Sequence, residues 1–206
     1  MKTLALEMST AQGSIAWRED GEALFDGRFA ADRKHSGAFF ENVRQCLERF
    51  DRPEKIIVGL GPGSYAGVRI AIAMALGLRS ATKARLTGIP SICALDVETA
   101  DYCVIGDARR QTFFFARIEG GRLTQGPILK MAAELEATMG ELTLPVYASE
   151  PLPPFPVATL AYPSASRLVE IAGLHADNID GALEPIYLRE PHITVAKATP
   201  GFARTK

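Results

Sequence analysis

The sequence predicts an α/β protein whose two halves repeat one order of strands and helices. Three observations support this fold class: a three-strand meander followed by an amphipathic helix, a buried strand leading into a helix of small residues, and the return of that order after residue 100. The chain has 206 residues, 47% of them hydrophobic. This is enough for one large domain or two small ones with a substantial core.

The first half, residues 1–100, is predicted to contain three strands, a helix, a strand and two helices. Asp20-Gly21 is a hairpin signal, because glycine tolerates the positive φ of a tight turn. Apolar residues from Phe39 to Phe50 recur at steps of three and four, which predicts a helix with Ser36 as its N-cap. The predicted strands are 4–8, 14–17, 23–29 and 55–60; the predicted helices are 36–50, 67–82 and 91–99, with 88–90 as a connection.

The second half, residues 101–206, follows the same order. A shift of 99 residues aligns the two hairpins, with Asp20 on Glu119, Leu24 on Leu123 and Gly27 on Gly126. The predicted strands are 102–105, 112–118, 122 onward and 145–148, and the predicted helices are 131–142 and 164–174. Residues 151–156 predict a loop, because proline lacks a strand donor. Residues 183–189 are predicted to be extended, and the chain from 199 to be disordered.

Two βββαβα units are typical of the duplicated ribonuclease-H-like or actin-like (ASKHA) architecture, with mixed sheets. We expect residues 1–100 to form an N-terminal actin-like domain that carries partner-binding helices. Residues 101–206 then form a smaller actin-like domain and a tail. Such a comparison of patterns indicates a fold and does not by itself give a function.

Composition excludes several classes of protein. With 23 basic and 24 acidic residues, the net charge of -1 creates no strong field for nucleic acid or an anionic membrane. No apolar run approaches the roughly 18 residues that span a bilayer, and the first residues do not form a signal peptide. We therefore expect a cytoplasmic protein. The three cysteines and three histidines match no disulfide or zinc spacing, so we expect buried thiols and no metal site.

Five segments resemble, in order, the bacterial TsaB (YeaZ-like) proteins. They are LALEMSTAQGSIAW from residue 4, HSGAFFENV from residue 35, GLGPGSYAGVRIA at 59–71, GDARRQTFFFARI at 106–118 and EPIYLRE at 184–190. The resemblance implies a non-catalytic accessory subunit for synthesis of tRNA N6-threonylcarbamoyladenosine (t6A) at adenosine 37. It also implies a heterodimer with the threonylcarbamoyltransferase TsaD, joined by the ATPase TsaE. The same resemblance implies a homodimer when the chain is alone, and contact with tRNA only through the complex.

The glycine-rich segment 59–71 raises the question of a nucleotide site. Glycine loops that lead into a helix bind anions through backbone N–H groups. The segment matches neither the Walker nor the GxGxxG pattern, and it departs from the family, which has Asp-Thr-Ser-Thr at residues 7–10 and Ser-Phe-Thr-Gly at 64–67. We therefore favour a structural turn that requires no cofactor, and leave open a vestigial ATP or ADP site with Mg. Its candidate residues are Glu7, Ser9, Thr10, Gly61, Gly63, Ser64 and Asp107.

Two enzymatic alternatives stay open, a small actin-like ATPase or kinase and a glycoprotease. In a peptidase, Ser64 would need a base, and no histidine is patterned to serve it. His35 is a single histidine and cannot replace the paired metal ligands of the catalytic paralogue that the resemblance implies. We assign no catalytic residue and expect no enzymatic activity from the chain alone.

The helix that follows the glycine-rich segment is apolar around almost its whole circumference. One of its sides can pack on a sheet, and the other then needs a cover. We expect this cover to be TsaD or a second copy of the chain, while burial of both sides in the chain's own core stays open. The predicted interface residues are Phe39, Phe40, Val43, Val68, Ala71, Met74, Ala75 and Leu78.

Overall fold

The architecture consists of two five-stranded mixed sheets, one in each half of the chain. A computed structural model describes residues 1–31, 36–174 and 183–189. The first half contains β1 (Lys2–Glu7), β2 (Gln12–Glu19), β3 (Glu22–Ala30), α1 (Gly37–Phe50), β4 (Lys55–Gly59), α2 (Tyr65–Thr82) and β5 (Arg85–Ile89). The second half contains β6 (Tyr102–Asp107), β7 (Thr112–Glu119), β8 (Arg122–Met131), α3 (Ala132–Gly140), β9 (Val146–Ala148), β10 (Thr159–Leu160) and α4 (Ala165–Leu174).

The two sheets have the same topology, which confirms the predicted duplicated α/β fold. Their strand orders are β3-β2-β1-β4-β5 and β8-β7-β6-β9-β10. In each sheet the first three strands are antiparallel and the fourth lies parallel to the first. The repeat is therefore a structural duplication, and it brings β1 and β6 to the centre of their sheets.

The repeat offset is 100 residues, so the predicted shift of 99 is wrong by one. The first three strands of the second half each begin 100 residues after their counterparts. The reason lies in the second hairpin, whose turn residues are Gly120 and Gly121, with φ of 56° and 73°. They correspond to Asp20 and Gly21, with φ of 49° and 89°. Positive φ at both central residues matches the right-handed twist of the adjoining strands.

Three predicted element boundaries need correction. Residues 88 and 89 belong to β5, which pairs in parallel with β4, and are not a connection. The predicted helix 91–99 is a single 3-10 turn at Ser91–Ala94, because Leu95 takes an extended conformation and bridges to Pro163. Ser36 stands at the N-cap of α1, but its side chain makes no capping hydrogen bond. Neither β5 nor β10 was predicted as a strand.

Each face of the first sheet contributes to a different core, because side chains alternate along strands. Leu6, Ile15 and Val58 face α1 and α2, and they form one cluster with the buried side chains of those two helices. Ala5 and Ile57 face the other way and join a cluster that contains the second sheet and α4. A third cluster packs α3 and the proline-rich loop against the outer face of the second sheet.

Helix α4 connects the two halves. It follows the second sheet in the chain, yet it packs on β1, β2 and β4 of the first. The backbone N–H of Ala165 donates to Ser14 Oγ at 2.8 Å, and Ser166 Oγ donates to Asp26 Oδ2 at 2.6 Å. Leu168 is fully buried there. The core between the sheets thus belongs to both halves.

Candidate functional site

The β4–α2 loop packs directly on the end of β1. The backbone N–H of Ser64 donates to the Ser9 carbonyl oxygen at 2.6 Å. A Cβ on Gly63 would lie 2.0 Å from that oxygen, and a Cβ on Gly67 would lie 2.0 Å from the Met8 carbonyl oxygen. The glycines therefore permit backbone to approach backbone, where a phosphate cradle would need open space.

The N-terminus of α2 is capped from within the chain. Ser64 Oγ accepts from the N–H of Gly67 at 3.2 Å, and the Ser64 carbonyl oxygen accepts from Val68 at 3.0 Å. Gly61 adopts a left-handed φ of 85°, and its N–H donates to Ser91 Oγ at 2.9 Å. These N–H groups already have acceptors, so the loop does not offer them to an anion. Ser64 acts as a helix cap in this arrangement.

Glu7 is fully buried at the carboxyl end of β1. Its Oε1 accepts from the N–H of Ser9 at 2.6 Å, while Oε2 has no hydrogen-bond partner. Ser9 Oγ is likewise buried without a partner. Burial raises the pKa of Glu7, although the neighbouring Ser9 and Ser91 oppose the rise. The carboxyl lies against Gly59, where a Cβ would come within 1.8 Å of Oε2. Only glycine at residue 59 therefore leaves room for the Glu7 side chain.

The other candidate residues do not converge on Glu7. Thr10 closes a local turn, since its Oγ1 donates to the Gln12 carbonyl oxygen at 2.9 Å. Asp107 belongs to the β6–β7 hairpin, where Oδ1 accepts from the N–H of Arg109 at 2.7 Å and Oδ2 pairs with its guanidinium at 2.9 Å. Across the described residues, no three His, Cys, Asp or Glu side chains lie together as a metal-binding group. His35 lies outside the described residues.

The helix surfaces require a correction to the predicted interface. Phe39, Val43, Val68, Ala71 and Ala75 are at most 3% exposed and pack into the core formed by the first sheet with α1 and α2. The prediction that these five face a partner is wrong, because these sides of α1 and α2 are the ones that meet the sheet. Met74 and Leu78 are half-buried at the margin, and Phe40 is 45% exposed.

Sequence reasoning missed the surface that α2 does expose. On its outer side lie Ala66, Ala73, Leu76, Gly77 and Ala81, and Leu76 is 46% exposed. A Cβ on Gly77 would meet no atom within 4 Å. The signal that could have located this face is the position of Arg69, Arg79 and Ser80, the polar residues of the helix, which are exposed as well.

Sequence reasoning also gave no role to the EPIYLRE segment. Tyr187 and Arg189 in this segment contact the β4–α2 loop region and the β6–β7 hairpin, respectively. These two loops follow the carboxyl ends of β4 and β6, and in α/β sheets ligands bind beyond the carboxyl ends of strands.

Within the described residues, no helix combines the length and apolarity that a membrane crossing requires.

The repeated halves and their central strands define a duplicated α/β protein with a closed glycine loop. Residues 29–145 match the family model described as TsaD: tRNA N6-adenosine threonylcarbamoyltransferase. Since this match covers more than half of the chain, the chain belongs to that family.

Two solved structures share the fold of this chain. YeaZ from Pseudomonas aeruginosa is 22% identical, with 91% of this chain and 99% of that chain covered and a TM-score of 0.66. A second structure, of an uncharacterized protein with similarity to peptidase YEAZ from the same species, gives a TM-score of 0.68 at 22% identity, with the same coverage. These likenesses confirm the fold expected from the TsaB (YeaZ-like) resemblance.

Among curated proteins, an uncharacterized protein of Mycobacterium tuberculosis (strain ATCC 25618 / H37Rv) is 30% identical over 141 residues, which is 67% of this chain. An uncharacterized protein of Mycobacterium leprae is 31% identical over 147 residues, 67% of this chain and 38% of the relative. The match spans 65% of the length of the M. tuberculosis relative.

Proposed function

We propose that this chain is a non-catalytic accessory subunit of tRNA t6A synthesis, which binds and activates a TsaD-type threonylcarbamoyltransferase together with TsaE. Membership of the TsaD family and the YeaZ fold support the pathway. The observation that carries the accessory role is the apolar outer face of α2, which has no cover within the described chain although its opposite side already fills the core.

The chemistry of this face suits a second helix. Small residues at Ala73, Gly77 and Ala81 follow one another at steps of four, so another helix can approach the backbone closely. Leu76, which is 46% exposed, supplies a larger apolar group. In the proposed complex this face packs against TsaD. In the absence of TsaD it pairs two copies of the chain.

The geometry of the glycine loop supports the non-catalytic part of the proposal. The backbone N–H groups of Gly61 and Gly67 in that loop have acceptors in the chain, and the Glu7 carboxyl is enclosed. Contact with tRNA is assigned to the complex, since the net charge is -1. The pure chain is expected to show no steady ATP hydrolysis. Steady turnover by the isolated chain would favour the small actin-like ATPase instead.

Gly77→Glu tests the interface. A side chain at residue 77 has open space in the monomer, so the variant should fold and keep its melting temperature. It should lose co-purification with TsaD, because a carboxylate would be buried in an apolar contact. The matched control is Gly173→Glu on α4, where a Cβ also meets nothing within 4 Å. A folded Gly77→Glu that still binds TsaD would overturn this interface.

Reconstitution tests the function itself. Purified TsaD, TsaE and the enzyme that supplies the threonylcarbamoyl group are incubated with tRNA, with and without this chain, and t6A is measured by mass spectrometry of nucleosides. Strong stimulation by the wild-type chain and by Gly173→Glu, but not by Gly77→Glu, is expected. Equal t6A formation with and without the chain contradicts the proposal.

A further inference from the structure

Residues 183–189, here called the C-terminal strap, cross from one half of the molecule to the other. The strap begins against the first half, where Leu183 packs on the cluster beneath α1 and α2 and a Cβ on Gly88 would lie 3.1 Å from it. It ends at Arg189, beside the hairpin that joins β6 to β7. Along the way Leu188 packs against the core shared by the two sheets.

The strap is held to the first half at two points. The backbone N–H of Ile186 donates to the carbonyl oxygen of Leu60, the residue after β4, at 2.8 Å. Tyr187 lies beside the first turn of α2, with its ring 5.6 Å from that of Tyr65. Arg69 Nε donates to the Tyr187 hydroxyl at 2.9 Å, and the Arg69 guanidinium stacks 4.0 Å above the Tyr65 ring. These contacts combine hydrogen bonding with cation–π attraction.

The strap is held to the second half by the side chain of Arg189. Its Nε donates to the Ala108 carbonyl oxygen at 3.2 Å, and its terminal nitrogen donates to the Arg109 carbonyl oxygen at 3.5 Å and to Thr112 Oγ1. The fixed fork of a guanidinium can serve several acceptors at once, which an ammonium group does less well. The Arg189 side chain therefore hydrogen-bonds to three residues of the hairpin.

This hairpin needs external support. Arg109, Arg110 and Gln111 adopt left-handed φ angles of 65°, 55° and 59° in succession. Residues with a Cβ visit this region rarely and as single residues, because Cβ approaches the next carbonyl oxygen. Such a run persists only where the surrounding contacts over-determine it. Asp107 supplies contacts of this kind from inside the hairpin, and Arg189 supplies others from the strap.

We propose that the C-terminal strap is a latch that fixes the two halves against each other and holds the β6–β7 hairpin in its strained form. The latch lies beyond the carboxyl ends of β4 and β6, the position at which α/β sheets take ligands. The chain's own Tyr187 and Arg189 thus fill the place of a ligand. This inference does not depend on the identity of any partner.

Hydrogen exchange of the full chain, read at single amides, tests the latch. The informative amides are those of Ala108 and Thr112, which bond within the hairpin, and those of Leu60 and Ser64 in the first half. Arg189→Ala should raise exchange about ten-fold at the hairpin and also raise it at Leu60 and Ser64, because a latch couples its two ends. Arg44→Ala, an exposed arginine on α1, is the matched control and should leave all four amides unchanged.

Tyr187→Phe provides the complementary test, since it removes only the hydroxyl that Arg69 contacts. It should speed exchange at Leu60 and Ser64 and also at Ala108 and Thr112. If Arg189→Ala unfolds the protein, seen as fast exchange throughout β6, the result of Tyr187→Phe decides. Effects confined to the half that each variant touches, or no effect in either half, would overturn the latch.

Discussion

Glu7 stands at the centre of its sheet with one carboxyl oxygen bonded to Ser9 and the other facing Gly59 without a partner. An ionised carboxylate is costly in such a place, because burial removes its hydration. The raised pKa of Glu7 follows from that desolvation, and the nearby serines make the rise in pKa smaller without reversing it. The folded state therefore favours the neutral acid over a wider pH range than the unfolded chain does.

Glu7→Gln should change how stability depends on pH. The folded protein holds this proton more tightly than the unfolded chain, whose reference pKa is 4.5, so the free energy of unfolding falls as pH rises from 4.5 to the folded-state pKa. Glutamine keeps the shape and does not titrate. The variant should therefore gain stability relative to wild type through the pH range above 4.5, which urea titrations at a series of pH values measure. A constant difference between the two proteins across that range contradicts the assignment.

Gly67 and Gly77 lie on the same helix and should respond oppositely to alanine. A Cβ at residue 67 would meet the Met8 carbonyl oxygen at 2.0 Å, whereas one at 77 meets nothing within 4 Å. Gly67→Ala should lower the free energy of unfolding by about 1–3 kcal/mol through overpacking. Gly77→Ala should raise it by about 0.5–1 kcal/mol through helix propensity. Urea unfolding measures both, and an equal response would contradict the packing described.

At the scale of elements, the β4–α2 loop acts as an elbow that seats α2 on the sheet. Its tightest contacts are with the backbone of Met8 and Ser9, so the loop and β1 form one unit. The helix that leaves this elbow buries the stripe at Val68, Ala71 and Ala75. The same geometry that removes space for a phosphate therefore sets which side of α2 remains available to a partner.

Calorimetric titration with MgADP should give no binding heat with the wild-type chain. The N–H groups of Gly61, Ser64 and Gly67 already donate to Ser91, Ser9 and Ser64, and a phosphate would have to displace those acceptors. A ligand that bound only the folded state would also raise the melting temperature, which a thermal shift assay measures in parallel. Saturable binding of MgADP would contradict the elbow.

The elements could be predicted from the sequence more readily than their orientation. Asp20-Gly21 and the spacing from Phe39 to Phe50 located a hairpin and a helix, because turn chemistry and periodicity are local properties. The buried stripe of α2 could be located only indirectly, from the exposed polar residues Arg69, Arg79 and Ser80, because most other positions of that helix are apolar. Its position at the end of a strand makes Glu7 a candidate ligand, yet its enclosure depends on Gly59 and Ser91, which approach it only in the folded chain.

At the scale of the whole molecule, α4 makes the two halves depend on each other. Leu168 is fully buried against the first sheet although it belongs to the second half of the chain. Trp17, the single tryptophan, is fully buried in β2 and reports on the first half. A perturbation of α4 should therefore be detected by a probe in the other half.

Leu168→Ala should lower the free energy of unfolding by about 2–5 kcal/mol, because it leaves a cavity in the shared core. Trp17 fluorescence and far-UV circular dichroism should shift together in urea. The matched control is Leu174→Ala on the same helix, where the side chain is 69% exposed, with a change of about 0.5 kcal/mol or less. A Trp17 transition that Leu168→Ala leaves in place would show that the halves unfold independently.

The position of α4 also bears on synthesis at the ribosome. The side of the first sheet formed by Ala5, Ala16, Ile57 and Ile89 is covered by residues 165–172. During translation, those early strands emerge long before the segment that shields them. The nascent polypeptide thus carries an unshielded apolar surface until α4 has left the exit tunnel.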